Sequence, residues 1–244
     1  MSIEKQSFIS SLTRVFKENG LSSMLSLERS EKFLALTEFM LAENEKYNLT
    51  AITDPDKIIL NHYADCATLA ARLPKGARIA DIGCGAGFPT LPVAILRDDV
   101  TILGIDSTAK RINYVNEAAR LLGLGNVTAV AMRAEDGGKS PEYRERFDIV
   151  TARAVAEMRI LCELCLPYVK VGGKFIAMKG KNAEFELSGA RKAISLLGGR
   201  GVTVEQITLN GTEELSHPLI VIDKKERTPA SYPRPYAQIS KKPL

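Results

Sequence analysis

The chain has 244 residues, 45% of them hydrophobic and 25% charged, with 18 Gly, 11 Pro and no Trp. That composition excludes disordered, fibrous and disulfide-scaffold classes, and the length suffices for one large core without metal or disulfide staples. The formal net charge of +4 is unevenly placed: residues 1–223 carry 27 Lys+Arg against 28 Asp+Glu, whereas residues 224–244 carry six (Lys224, Lys225, Arg227, Arg234, Lys241, Lys242) against Glu226 alone. A near-neutral body with a basic end fits either a polyanionic partner or a solvated terminus.

Residues 1–6 lack the apolar core of a signal peptide, and no stretch approaches the roughly 18 to 20 apolar residues that span a membrane. The expectation is a cytoplasmic protein with no membrane partner. Its four cysteines are then free thiols. Cys162-Glu-Leu-Cys165 has redox or zinc spacing, but it lies in an apolar helical pattern with no second pair and only two histidines in the chain, so it reads as core and no metal is expected.

Helical periodicity covers Ser2 to Asn19, closed by Gly20, and then Ser26 to about Tyr47. Asp54-Pro55 supplies an N-cap and a first-turn proline for a third helix, which runs through Ile58, Ile59, Ala67 and Leu69 until Pro74 and Gly76. From Arg78, apolar runs at Ile79–Ile82, Thr101–Ile105, Val127–Met132, Phe147–Ala152 and Lys174–Met178 alternate with helical stretches at about Pro89–Leu96, Thr108–Leu122, Glu157–Leu166 and Ala183–Leu197. Such alternation specifies parallel strands with helical crossovers. Val202–Leu209 and Leu219–Asp223 follow with a loop of about nine residues and no helix, hence an antiparallel hairpin at one edge. The fold class is α/β: a class I SAM-dependent methyltransferase arrangement, Rossmann-like and doubly wound, with an N-terminal helical extension. The expected divisions are a helical cap over 1–75, a ligand-binding core over 76–224 and a basic tail over 225–244.

Asp81-Ile-Gly83-Cys-Gly85-Ala-Gly87-Phe88-Pro89 falls where a first strand turns into a first helix, the place at which doubly wound sheets bind nucleotide-like ligands. The spacing is G-x-G-x-G rather than the dinucleotide G-x-G-x-x-G, because Phe88 stands in the sixth position from Gly83. Asp106 ends the second strand, where a carboxylate can accept from two ribose hydroxyls; Glu135 follows the third, and Ala134 beside it leaves room and a backbone amide for an adenine. These residues point to S-adenosylmethionine (SAM), whose lack of a pyrophosphate makes a basic cradle unnecessary; NAD(P) fits neither the spacing nor the antiparallel ending. After the fourth strand, Thr151-Ala-Arg153-Ala-Val-Ala156 lacks the Pro-Pro-aromatic loop of exocyclic-amine methylation, and Cys162 is too far along to attack cytosine C5. Guanine N7 needs no base. Arg153 is either a surface ion-pair partner or a contact to SAM or to a substrate phosphate.

Asn48-Leu-Thr-Ala-Ile52, His62-x-x-Asp65, the glycine loop, Asp106-Ser-x-x-Lys110-Arg111, Ala134-Glu135, Arg153-Ala154, Lys179-Gly180 and Tyr232-Pro-Arg234 occur in order over almost the whole chain. Together they resemble the bacterial ribosomal RNA small subunit methyltransferase G family, historically called glucose-inhibited division protein B. The resemblance implies SAM-dependent methylation of a guanine N7 in 16S rRNA near the decoding region, with S-adenosyl-L-homocysteine as product and the small ribosomal subunit as partner. It further implies cofactor contacts from Gly83, Phe88, Ala134, Glu135 and Arg153, joined on the residue argument by Gly85 and Asp106. Asn48, His62, Asp65, Lys110, Arg111 and Lys179 would line or support the pocket, with Arg234, Lys181 and the tail toward RNA; a monomer is expected. The balanced charge of residues 1–50 favours helices that cover the SAM pocket over helices that bind RNA. Departures from the family pattern are Cys66, Thr90, His217-Pro218 and the segment Arg234-Pro-Tyr-Ala237. A small-molecule methyltransferase of the same fold, or a non-enzymatic SAM-binding assembly factor, are the competing readings.

Overall fold

A computed structural model describes residues 3–180 and 182–244; Lys181 and the start expected for the first helix at Ser2 lie outside them. The N-terminal part holds α1 (Lys5–Glu18) and α2 (Leu27–Tyr47), the latter capped by the Ser26 hydroxyl accepting from Arg29 N–H. Asp54 caps α3 (Pro55–Ile58) as its sequence predicts, its Oδ1 accepting from Lys57 N–H at 2.9 Å. A π-helical stretch, Ile59–Ala64, then leads into α4 (Asp65–Ala70).

The strands are β1 (Arg78–Ile82), β2 (Thr101–Asp106), β3 (Val127–Ala131), β4 (Phe147–Arg153), β5 (Val169–Met178), β6 (Gly199–Leu209) and β7 (Leu215–Lys224), and they form one sheet in the order β3-β2-β1-β4-β5-β7-β6. β1 to β5 are parallel, and β7 lies antiparallel between β5 and β6. Between the strands run α5 (Thr90–Leu96), α6 (Ala109–Leu121), the single turn α7 (Ala134–Gly137), α8 (Met158–Cys165) and α9 (Ala183–Leu196). The hairpin loop is shorter than expected because β7 begins at Leu215. Pro218 does not interrupt the strand: β5 pairs with β7 only from Leu219 onward, so the missing N–H removes no ladder bond on that side.

Strand side chains alternate between two apolar layers. Ile79, Ile149, Ile176, Leu219 and Val221 face the first layer; Ala80, Val150, Phe175, Ile220 and Ile222 face the second. α5, α6 and the whole N-terminal part fill the first layer, with Phe16, Phe33 and Tyr63 fully buried in it. Residues 3–75 therefore share a core with the sheet and do not sit as a separate lid. α8 and α9 fill the second layer, where Cys162 and Cys165 are buried free thiols. No helix among the described residues is long and apolar enough to cross a membrane, and no cluster of His, Cys, Asp and Glu among them could hold a metal.

The basic end is docked rather than solvated. Lys224 is completely buried, its ammonium donating to Leu166 O at 2.8 Å and Leu197 O at 3.0 Å and reaching the Thr228 hydroxyl. Arg144 clamps the segment by donating to the carbonyls of Thr228, Pro229 and Tyr232. Arg234 grips the fully buried Glu163 through Nε at 2.9 Å and Nη2 at 2.7 Å, and Ile239 of α10 (Tyr236–Lys241) is inserted into the second layer. Two of the six cations assigned to a polyanion, Lys224 and Arg234, are thus structural. Their carriers had to be desolvated to close the tail onto the core, which only paired or fully hydrogen-bonded cations tolerate. Arg234→Ala strands the Glu163 carboxylate and should lower stability by roughly 3 kcal/mol, read as a shift in the urea midpoint; an unshifted midpoint would count against this anchoring.

Candidate active site

The carboxyl ends of β1 and β2 open into a cleft of about 200 Å³ lined by Gly83, Asp106, Arg111, Ala134, Glu135 and Val155 among others. A neighbouring cleft of about 390 Å³ is lined by Asn61, His62, Asp65, Arg153, Ala154, Lys179 and His217. The two share the turn after β4, where Ala154 adopts a left-handed φ of 56° and sends Arg153 into one cleft and Val155 into the other.

In the first cleft the glycine loop is wound on itself. Gly83 and Cys84 N–H both donate to Ile105 O, Gly87 N–H donates to Cys84 O, and Gly85 N–H donates to Asp106 Oδ2 at 3.1 Å. These four amides are used internally, so the loop forms no anion nest for a pyrophosphate. Gly83 has φ 74°, and a Cβ there would lie 2.5 Å from Val155 Cγ2, so any side chain would push into the cleft wall. Asp106 also accepts from Thr108 N–H at 2.8 Å, and a carboxylate with about four acceptor sites retains capacity for ribose hydroxyls. Tyr168 holds α7 in place by donating its hydroxyl to Ala134 O at 2.6 Å. A polar edge at Asp106 and Glu135 with an apolar end at Met132, Ala134 and Leu164 suits a nucleoside without phosphates, which SAM is.

The second cleft is organised by Asp65. Its Oδ1 accepts from His217 Nε2 at 2.6 Å and its Oδ2 from Arg153 Nη1 at 3.1 Å. The π-helical stretch serves this arrangement: Asp65 N–H bonds Leu60 O and His62 O, skipping Asn61 O, which instead accepts from Arg153 Nη1 at 3.1 Å. His62 Nδ1 lies 3.2 Å from Arg153 Nη2 and 3.1 Å from Asn61 O, and its Nε2 lies 3.3 Å from the Thr50 hydroxyl, so both ring nitrogens have a hydrogen-bond partner in either tautomer. Burial, reinforced by the Arg153 charge, pushes the His62 pKa down to about 4, so the ring is neutral near pH 7. Burial opposes charge on His217 too, but the hydrogen bond and charge of Asp65 outweigh it and raise its pKa. Phe88 stacks on His62 with centroids 4.2 Å apart, and the Arg153 guanidinium lies 5.2 Å from the Phe88 ring.

Of the residues expected at the site, Gly83, Asp106, Arg111, Ala134 and Glu135 converge on the first cleft, and His62, Asp65, Arg153 and Lys179 on the second. Phe88 backs His62 and Arg153 instead of lining the first cleft, and Gly85 acts through Asp106. Lys179 is engaged by Ala156 O at 2.8 Å and Glu186 at 2.7 Å. Lys110 is exposed on the first turn of α6. Asn48 lines neither cleft; it is the left-handed C-cap of α2, a role Asn tolerates. Asn44, unnoticed in the sequence, fixes that motif by bonding both Thr50 O and Thr50 N–H. No described residue of the N-terminal part lines the first cleft, which corrects the reading of those helices as its cover: Ile52, Asn61, His62 and Asp65 line the second. Thr90, one of the departures from the family pattern, is buried and donates to Asp81 Oδ2 at 2.6 Å. The role of His217 was missed, although the chain's two histidines meeting in one cleft is the pattern that marks it.

The sheet order and the two clefts at its carboxyl edge define a class I SAM-dependent methyltransferase. Solved structures share this fold: an O-methyltransferase from Thermotoga maritima matches with TM-score 0.53 at 16% identity over 77% of this chain and 72% of that one. M. jannaschii TYW2 in complex with AdoMet matches with TM-score 0.52 at 16% identity over 67% and 74%. The family model for rRNA small subunit methyltransferase G matches residues 29–215. Ribosomal RNA small subunit methyltransferase G of Clostridium perfringens is 45% identical over 219 residues, covering 89% of this chain and 91% of the relative. That of Lactobacillus delbrueckii subsp. bulgaricus is 45% identical over 224 residues, covering 90% and 93%. The chain belongs to the rRNA small subunit methyltransferase G family.

Asp81, behind the glycine loop, has one oxygen on Thr90; its other oxygen and the Thr151 hydroxyl on the adjoining strand have no partner among the described residues. Burial, offset in part by Thr90, pushes its pKa up to about 6. Between about pH 4 and 6 the folded chain holds a proton that the unfolded chain releases, so stability falls as pH rises through that window. Asp81→Asn removes this loss and should gain roughly 2 kcal/mol over wild type on going from pH 4 to pH 8, measured by urea unfolding at both; an equal difference at the two pH values would refute a buried ionising Asp81.

Proposed function

We propose that the protein transfers a methyl group from SAM to N7 of a guanine in 16S rRNA of the small ribosomal subunit, acting as a monomer in the cytoplasm where ribosomes are found. SAM supplies an electrophilic methyl that leaves its sulfonium by in-line displacement, with S-adenosylhomocysteine as product. Gly83, Asp106, Ala134 and Glu135 would hold it, and the Asp65, Arg153 and His62 cluster would orient the base.

The observation that carries the choice of N7 is that the second cleft offers no free base among the described residues. His62 has its lone pair facing a donor in either tautomer, Arg153 or the Thr50 hydroxyl; both Asp65 oxygens are bonded, Lys179 is paired with Glu186, and His217 is bonded to Asp65. The four thiols are buried and their pKa values pushed upward by desolvation, Cys162 to about 12, so no thiolate stands ready for C5 chemistry. An acceptor with its own lone pair needs only position and a suitable field.

Labelled SAM supplied with free 16S rRNA, intact small subunits and unrelated RNA should label a ribosomal substrate alone, and chemical cleavage should place the methyl at guanine N7. Label on an exocyclic amine, or none on any ribosomal substrate, would overturn the reading. Because Lys224 and Arg234 are structural, the phosphate-facing role falls on exposed cations such as Lys110, Lys241 and Lys242. Replacing these three with Ala should reduce the salt slope of RNA binding by roughly 1 for each phosphate that is no longer neutralised; an unaltered slope would place the RNA elsewhere.

A further inference from the structure

The first cleft has one wall that its glycine loop and carboxylates do not explain. Tyr236, from the C-terminal segment, lines it together with Met132, Arg133, Ala134, Glu135 and Leu164. The Arg133 guanidinium lies 5.7 Å from the Tyr236 ring centroid, which places the ring at the end of the cleft that follows β3. The ring is held there by its neighbours rather than by its own burial: Arg234 is locked to Glu163 two residues before it, and Ile239 is fully buried three residues after it. Tyr236 itself stays 39% exposed. An aromatic ring that is positioned by flanking anchors and left uncovered beside an apolar slot has the arrangement of a stacking surface.

We propose that Tyr236 is a cofactor-binding residue, forming the aromatic wall of the donor cleft and stacking on the adenine of SAM. This rests on the reading that the adenine lies at Ala134 and Glu135. A flat neutral heterocycle gains from an aromatic face whose own position is fixed, because little conformational freedom is lost on binding. The docked tail thereby completes the cofactor site through the first residue of α10.

The test uses the full chain and S-adenosylhomocysteine as probe, with calorimetric Kd values for wild type, Tyr236→Ala and Tyr236→Phe. Loss of a stacked base predicts about tenfold weaker binding for Tyr236→Ala and less than about twofold for Tyr236→Phe, which keeps the ring. Unchanged or tighter binding by Tyr236→Ala overturns the proposal. Failure of the wild type to bind overturns the cofactor reading instead, so the two failures are distinct. Should Tyr236→Ala unfold, fluorescence decides: the chain has seven Tyr and no Trp, so tyrosine emission is read directly. Adenine on Tyr236 should quench wild type more than Tyr236→Phe, and equal quenching overturns the proposal.

Discussion

The Asp65 carboxylate ties together three parts of the chain that are distant in sequence. It sits on an N-terminal helix, accepts from Arg153 at the end of β4, and accepts from His217 on β7. Only about 5% of the residue is exposed, so water cannot readily replace the two bonds that its oxygens accept. Removing one member of such a buried group leaves an uncompensated charge, a loss on the order of 3 to 5 kcal/mol. The N-terminal layer, the central strand and the antiparallel strand are therefore held in one relative position by the same side chain that aims the cleft's arginine.

That dependence explains an irregularity in the helix. A regular α-helical bond from Asp65 N–H would end on Asn61 O and leave Arg153 with one acceptor fewer. Widening the turn moves the bond to Leu60 O and frees the Asn61 carbonyl. The local loss of α-helical geometry is offset by a charge-assisted hydrogen bond to a guanidinium, which is roughly twice as strong as a neutral one. His217 takes its place in the same network with one imidazole, and its bond to Asp65 holds the carboxylate so that only the other oxygen is left for Arg153.

Much of this was legible in the chain because it is written in local patterns. The alternation of apolar strand and helical stretch, the Asp54-Pro55 helix start and the glycine turn after β1 each depend on neighbours in sequence, and the structure places them close to where the patterns do. Glu163 was not legible, because it looks like one polar position in an apolar helix until Arg234 arrives from 71 residues away. Tail cations read as free to meet a polyanion for the same reason: composition counts charges, whereas burial and pairing decide whether a charge is available. Asn48 illustrates the converse error, since a motif residue next to a functional cleft was holding a left-handed turn.

The two clefts meet at a single turn, and its strain is informative. Ala154 sits at φ 56°, a conformation that a residue with a Cβ adopts at a penalty of about 1 kcal/mol or more. It persists because both neighbours are fixed. Arg153 is bonded to Asn61, His62 and Asp65, and Val155 packs over Gly83, where any Cβ would collide with it. Relaxing Ala154 would rotate one of these side chains out of its cleft. The two clefts are in this way kept in register by the backbone on either side of Ala154. For the methyl displacement proposed above, which depends on alignment more than on proton transfer, that register is the property the fold has to supply.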